Sequence, residues 1–418
     1  MTGALGTERA VDGLVIVGGG VAALRTAQSV RSEGYMGPIT MVCAESHLPY
    51  DRPPLSKQVL QGDLEVDGTD YHSAEYFADV LDVAVVLGRH GSGVDLAQRR
   101  VRLSDGEVLA YDALVVATGS RPRRLPFALP AEGVHVLRTK EDAVGLRADL
   151  TRSNRLAVVG AGFVGAEVAS TAVAMGVDVV VVETAPVPLM RAVGSTVGRS
   201  LGALHETAGV KLVCGTAVTG FAGRDHVEGL TLDDGSIVDV DLVLAGVGVV
   251  PDIEWLEGSG LAVSDGLACD DKLCSSDPRV FGAGDAISYP SARLGRRTRS
   301  QQWTTASEQG RYLGRVLVQG PDHVAPFDSD LYFWSDQYGV RVQGAGIPED
   351  DCVVLIDDID QRRYLAAFRS GDRIRGVASV NHPKEFAALR KLIRRGSPWA
   401  DVEAFLTTTP SRLVSAHD

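Results

Sequence analysis

The chain has 418 residues, two to three times the ~100–200 of a usual domain, so a single core cannot organise it and several domains are expected. With 45% hydrophobic and 23% charged residues and a mean hydropathy of +0.06, the composition argues against a disordered chain, a collagen or a membrane bundle. Forty-one Lys and Arg stand against 54 Asp and Glu, and a formal charge of −13 speaks against nucleic acid or an anionic membrane as partner.

In chain order, Leu14–Val17 is a short apolar run followed by Gly18-Gly19-Gly20 and a helix-compatible stretch, Val21–Glu33. A second apolar run, Ile39–Cys43, leads to Glu45 and predicts a closed β-α-β unit. Arg121 to Pro126, with Pro130 beyond, reads as a crossing linker. The first pattern then returns as Leu156–Val159, Gly160-Ala161-Gly162, a helix over Val164–Met175 and a strand over Asp178–Val182 that ends at Glu183. Arg279–Phe281 predicts one more strand, before Gly282-Ala283-Gly284-Asp285. From about Pro326 come strand-like pieces at Cys352–Ile356, Tyr364–Phe368 and Ile374–Val380, then an amphipathic helix at Pro383–Arg394. The reading is an α/β protein with two Rossmann-like dinucleotide-binding domains and a smaller C-terminal α+β domain.

Gly18-x-Gly20-x-x-Ala23 after a strand has the dinucleotide form: glycines allow a tight turn and close backbone approach, and a helix N-terminus faces a pyrophosphate. Gly160-x-Gly162-x-x-Gly165 is the complete fingerprint, and two such turns imply two dinucleotides. Glu45 and Glu183, each closing a second strand, are placed to accept from ribose hydroxyls. A carboxylate at Glu183 repels a 2′-phosphate, and Thr184-Ala185-Pro186 supplies no arginine to bind one, so NADH is expected over NADPH. The glycine content of 47, about 11% against a usual ~7%, agrees with several phosphate-facing loops.

Five cysteines, Cys43, Cys214, Cys269, Cys274 and Cys352, are too few and scattered for a disulfide scaffold. The N-terminal residues contain no apolar stretch of signal-peptide length, and no run of about 18 apolar residues occurs, so a cytoplasmic protein without a span is expected. The pair Cys269/Cys274 has the spacing of a redox disulfide in the wrong part of the chain, and lacks the histidines or second cysteine pair a metal site needs. No metal site is expected.

The ordered motifs His47-Leu-Pro-Tyr-Asp-Arg-Pro-Pro-Leu-Ser-Lys57, Ala117-Thr-Gly-Ser-Arg-Pro122, Gly160-Ala-Gly-Phe-Val-Gly-Ala-Glu167, Gly246-Val-Gly-Val-Val-Pro251, Gly282-Ala-Gly-Asp285 and Phe333-Trp-Ser-Asp-Gln337 carry a family resemblance. The chain resembles the flavin-dependent NADH:ferredoxin reductases with the glutathione-reductase-like fold, over nearly its whole length. The resemblance implies an FAD domain at 9–121 and 252–325, an NAD domain at 122–251 and a C-terminal domain at 326–418. It implies FAD contacts from Gly18, Gly20, Ala23, Glu45, Arg52, Lys57, Ala117, Thr118, Gly119, Arg121, Asp285 and Trp303. NAD would be met by Gly160, Gly162, Phe163, Gly165, Glu167, Glu183, Arg191 and Gly248. Lys57 and Glu167 are implied as an ion pair beside the reacting flavin atom, the lysine stabilising charge on the reduced ring. Gln301 and Thr305 depart from the family's usual Glu and Asn.

The implied activity passes hydride from NADH to FAD and then single electrons to a small iron–sulfur ferredoxin, which serves a cytochrome P450 or another oxygenase. An NADH oxidase or monodehydroascorbate-reductase-like enzyme, and an NADH-responsive flavoprotein sensor, are the alternatives. Arg293, Arg296, Arg297, Arg299, Arg311 and Arg315 gather against Glu308 alone, a candidate docking surface for an acidic ferredoxin despite the global charge. Lys384, Arg390, Lys391, Arg394 and Arg395 form a second basic excess.

Overall fold

The computed structural model describes residues 13–408; the ends of the expected outer domains, 9–12 and 409–418, lie outside them. The eight α-helices among the described residues are α1 (Val21–Ser32), α2 (Gln58–Gln61), α3 (Lys140–Leu150), α4 (Phe163–Ala174), α5 (Met190–Thr207), α6 (Trp303–Gln319), α7 (Pro383–Arg395) and α8 (Trp399–Thr408). The chain divides into two compact units. One holds the chain up to Asp51, Thr69–Arg121 and Val249–Ser329; the other holds Arg52–Gly68, Pro122–Gly248 and the chain from Asp330.

The first unit is built on a five-stranded parallel sheet in the order Val280–Gly282, Ala113–Val116, Leu14–Val17, Ile39–Val42, Val83–Val86. Leu14 to Val17 are all buried, as a central strand covered on both faces requires. The strand order reverses direction at Leu14–Val17, with the second strand on one side and Ala113–Val116 on the other. That makes its carboxyl end a topological switch point, where open α/β sheets bind ligands.

The second unit repeats the design with Lys211–Cys214, Asp178–Glu183, Arg155–Val159, Leu242–Ala245 and Val134–His135, again parallel. A three-stranded antiparallel meander, Val218–Ala222, Gly229–Leu232 and Ile237–Asp239, is appended. The same unit contains a five-stranded antiparallel sheet in the order Phe333–Gln337, Val340–Gly346, Arg373–Val380, Arg363–Ser370, Asp351–Asp358. On it α7 buries Phe386, Leu389 and Ile393, the i, i+3, i+7 stripe of an amphipathic helix.

Many elements exceed the sequence reading, among them α3, the strands Ala113–Val116 and Leu242–Ala245, and the two that follow. Residues 190–207 form a long helix interrupted at Gly194, whose φ of +73° breaks the helical repeat. The segment expected as a plain linker contains a short strand, Ser120–Pro122, paired with Val249–Pro251.

Candidate active site

In the first unit, Gly18 follows the central strand with φ +143°, and a Cβ there would lie 2.1 Å from the carbonyl oxygen of Ala117. Only glycine lets this turn pass so close to the neighbouring loop. Gly20 then caps α1 without a side-chain hydrogen bond, and no acidic residue occupies the first turn. A Cβ on Gly20 would meet nothing within 4 Å, so the space in front of the helix N-terminus is open. Unpaired N–H groups, the positive end of the helix dipole and an open cradle suit an anionic pyrophosphate. Ala23, at the third fingerprint position, is fully buried.

The other expected residues of this unit follow the carboxyl ends of the same sheet. Tyr50 donates its hydroxyl to Glu45 Oε2 at 2.6 Å. Ser120 donates to Asp285 Oδ2 at 2.8 Å, and Thr118 donates to the carbonyl of Asp252 at 2.6 Å. Arg121 is engaged by Glu254 at the surface, a bond that raises the pKa of the arginine and lowers that of the glutamate. Gly119 has φ +75° beside it.

Trp303 opens α6, and its indole N–H donates to Asp51 Oδ1 at 2.9 Å and to the Tyr71 hydroxyl at 3.0 Å. Tyr71 in turn donates to Asp51 at 2.7 Å; burial first, and then the Asp51 charge, raise the Tyr71 pKa and keep it neutral. The N-cap of α6, Gln302, makes no capping bond from its side chain. Of the two departures seen in the sequence, Gln301 is exposed and Thr305 is buried, donating inward to Gln302. The hydroxyl of Thr304, on the first turn of α6, is buried without a partner. Gln309, one turn further in, accepts from the amide of Gly284 at 2.7 Å, and its own amide nitrogen is buried without a partner. These orphaned polar atoms and the two uncapped helix ends fit a large polar cofactor such as FAD in this unit.

The second unit repeats the turn. Gly160 has φ +103° with a virtual Cβ 2.5 Å from the Gly246 carbonyl oxygen, and a Cβ on Gly165 would lie 2.1 Å from the Gly160 carbonyl oxygen. Gly162 caps α4 with no side-chain bond and open space before it. Glu183 accepts from the amide of Ala161 at 2.6 Å and from that of Ala185 at 2.8 Å, which fixes its carboxylate at the strand end. Arg191 is exposed on the first turn of α5, Gly248 has φ +91°, and Phe163 packs on Phe333 with ring centroids 4.8 Å apart. These residues fit a dinucleotide: a glycine turn opens onto an uncapped helix, and the strand that follows ends on a fixed carboxylate.

Lys57 and Glu167 lie in this same unit. Pro53-Pro54 start a 3-10 turn, Pro53–Ser56, after which Lys57 Nζ reaches Glu167 Oε2 at 2.8 Å. Both side chains are largely buried, 13% and 9% exposed. Three further donors surround the carboxylate. Ser56 Oγ lies 2.5 Å from Oε2, Ser335 Oγ 2.8 Å from Oε1, and the Asp336 amide 3.3 Å from Oε1. Arg52 donates to the carbonyl of Arg138 at 2.5 Å. Ser56 and Ser335 were visible in the quoted motifs but carried no predicted role; the signal for Ser335 is a polar residue at the inward position of an alternating strand.

The basic clusters are more neutral than their counts. Arg293 pairs with Asp328, Arg299 with Asp265 at 2.8 Å, and Arg297 donates to the carbonyls of Cys269 and Ser288. Arg296, Arg311 and Arg315 remain exposed. In the second cluster Arg390 and Arg394 both bind the buried Asp330 at 2.6 Å. Burial would raise the Asp330 pKa, but the two arginines together hold it below the usual carboxylate value. All five cysteines are free thiols. Burial raises both members of the spaced pair, Cys274 to about 12, so neither supplies a thiolate near neutral pH. Among the described residues no cluster of metal-ligating side chains occurs, and no helix is long and apolar enough to cross a membrane.

Comparison with known proteins bears on this geometry. The profile of the pyridine nucleotide-disulphide oxidoreductases matches residues 12–310, and a reductase C-terminal profile matches 332–409. The chain is 34% identical to rhodocoxin reductase of Rhodococcus erythropolis, over 96% of its own length and 94% of that protein. It is 34% identical to the ferredoxin–NAD(+) reductase component of an anthranilate 1,2-dioxygenase system from Burkholderia cepacia, over 92% and 95% of the two chains. Among solved structures, the putidaredoxin reductase in a covalent complex with putidaredoxin superposes with a TM-score of 0.88 at 31% identity, covering 95% of this chain and 99% of that one.

Proposed function

The chain belongs to the pyridine nucleotide-disulphide oxidoreductases, in the branch of the NADH-dependent ferredoxin reductases, and on that premise we propose how its residues divide the work. It is a flavoprotein oxidoreductase that takes electrons from NADH and feeds them to a small ferredoxin of an oxygenase system. When bound, FAD supplies the hydride acceptor and the one-electron outlet.

The first unit holds FAD. The Gly18–Gly20 turn and α1 receive its pyrophosphate, Glu45 its adenosine ribose, Asp285 its ribityl chain, and the N-terminal turn of α6, with Trp303 and Thr304, its ring. The second unit holds NADH on the Gly160–Gly165 turn, with Glu183 accepting from the 2′-hydroxyl. With FAD and NADH bound, the cofactors would supply the hydride chemistry, so no side chain would need to abstract a proton; orientation and electrostatics are the protein's share. Lys57 supplies positive charge that favours the reduced flavin, and Glu167 keeps that ammonium charged and fixed.

The observation that carries this reading is the pair of uncapped glycine turns, with Glu183 ending the strand after the second and Glu45 three residues past the strand after the first, together with the largely buried Lys57 held by a helix of the second turn. The docking surface for ferredoxin draws on the exposed Arg296, Arg311 and Arg315. The test is NADH-driven reduction of a panel of purified ferredoxins. At least one should be reduced at many times the rate at which the enzyme passes electrons to oxygen. Slow NADH turnover that no ferredoxin accelerates would replace this reading with an NADH-responsive sensor.

A further inference from the structure

The strand Phe333–Gln337 lies along α4. Phe163, Glu167 and Ser170, at i, i+4 and i+7 of the helix, share one face. Phe333 meets the first, Ser335 and Asp336 bind the second, and the Tyr338 amide donates to the Ser170 hydroxyl at 2.6 Å. Phe333, Ser335 and Gln337 alternate onto the buried side of the strand, and Ser335 is fully buried. Its Oγ donates to Glu167 Oε1 and accepts from Gln337 Nε2 at 3.0 Å.

The two oxygens of Glu167 are therefore occupied from different parts of the chain: Oε2 by Lys57 and Ser56, Oε1 by Ser335 and the Asp336 amide. A carboxylate held at both ends cannot rotate without breaking bonds to an ionised acceptor, the stronger class of hydrogen bond. We propose that Ser335 is a positioning residue for flavin reduction: by fixing Oε1 it orients Oε2, and so sets where the Lys57 ammonium sits. The inference rests on the reading that Lys57 assists hydride transfer. The C-terminal sheet thereby takes part in the NADH half of the reaction through one hydroxyl. Removing that hydroxyl would leave Oε1 with only the 3.3 Å amide and would strip Gln337 of its acceptor.

The experiment uses FAD-loaded enzyme with Ser335→Ala and Ser335→Cys, the latter preserving volume but donating poorly. The first readout is independent of activity: site-resolved acetylation of lysines, with exposed Lys384 as internal standard. Lys57 labelling should rise ~5-fold in both variants as the ammonium is released. The second is the limiting rate of flavin reduction by NADH in anaerobic stopped flow, expected to fall ~10-fold in both. In a Lys57→Met background, Ser335→Ala should slow reduction no further. Unchanged Lys57 labelling, a wild-type rate in Ser335→Cys, or additive slowing on top of Lys57→Met would each overturn the proposal and leave Ser335 a packing residue. A wild-type rate in Lys57→Met itself would instead sink the underlying reading. Should Ser335→Ala fail to bind FAD, Ser56→Ala loosens the same carboxylate from its other oxygen and carries the same expectations.

Discussion

Glu183 does two things with one carboxylate under the proposed assignment: it ties the Ala161 and Ala185 amides, and it meets the adenosine ribose of NADH with negative charge. Glu183→Arg removes that repulsion and supplies a phosphate-binding group, so the kcat/KM ratio of NADH over NADPH should fall by about 100-fold. Absolute NADH efficiency should fall too, because the two amides lose their acceptor; an unchanged ratio would reject the ribose assignment. Lys57→Met keeps the length of the side chain and removes its charge, and should slow flavin reduction ~10-fold or more with little change in NADH affinity, read from the concentration dependence of the stopped-flow rate. Glu183 was legible from spacing alone, because a strand end after a fingerprint is a local pattern. Ser335 was not, since its partner lies 168 residues away and the strand that carries it declares only that position 335 faces inward.

In α5, His205 is almost fully buried and accepts from, or donates to, the Tyr338 hydroxyl at 2.7 Å through Nδ1, while Nε2 has no partner. Burial pushes its pKa from 6.5 down to about 4. The unfolded chain therefore binds a proton that the folded chain refuses, and stability is lost as pH falls from about 6.5 to about 4. The full loss is of order 3 kcal/mol. Thermal unfolding between pH 7 and pH 5 should show this slope, and His205→Gln, which cannot titrate, should flatten it; an equal slope in the variant would place the titrating group elsewhere. Five strands of the parallel sheets, Leu14–Val17, Ile39–Val42, Arg155–Val159, Asp178–Glu183 and Val280–Gly282, were readable from short apolar runs; Val83–Val86, Ala113–Val116, Val134–His135, Lys211–Cys214 and Leu242–Ala245 lacked a flanking dinucleotide fingerprint to mark them. The basic clusters were misleading because a count of arginines does not reveal that Asp265, Asp328 and Asp330 fold back onto them from 34, 35 and 60 residues away.

At the scale of the whole molecule, a charge of −13 is compatible with the proposed docking of an acidic ferredoxin at Arg296, Arg311 and Arg315, which are exposed. Arg311 and Arg315 stand one turn apart on α6, otherwise a nearly buried helix. Reversing both, Arg311→Glu with Arg315→Glu, should lower kcat/KM for an acidic ferredoxin ~10-fold at low salt and weaken its dependence on ionic strength, with flavin reduction by NADH unchanged. A salt response identical to wild type would move the docking face elsewhere. The division into two units, with the C-terminal sheet clustered alongside the NAD-type sheet, was not legible as such: the sequence marks where sheets begin and end, while the contacts that join Phe163 to Phe333 or Ser170 to Tyr338 span well over a hundred residues. The most direct test of the account is an anaerobic double-mixing experiment on the FAD-loaded protein, first with NADH or NADPH and then with oxidised ferredoxin. NADH should bleach the flavin rapidly and NADPH far more slowly, and the oxidised flavin spectrum should recover as ferredoxin takes electrons in single steps. A flavin that stays oxidised with NADH, or a reduced enzyme that no ferredoxin discharges, would contradict it.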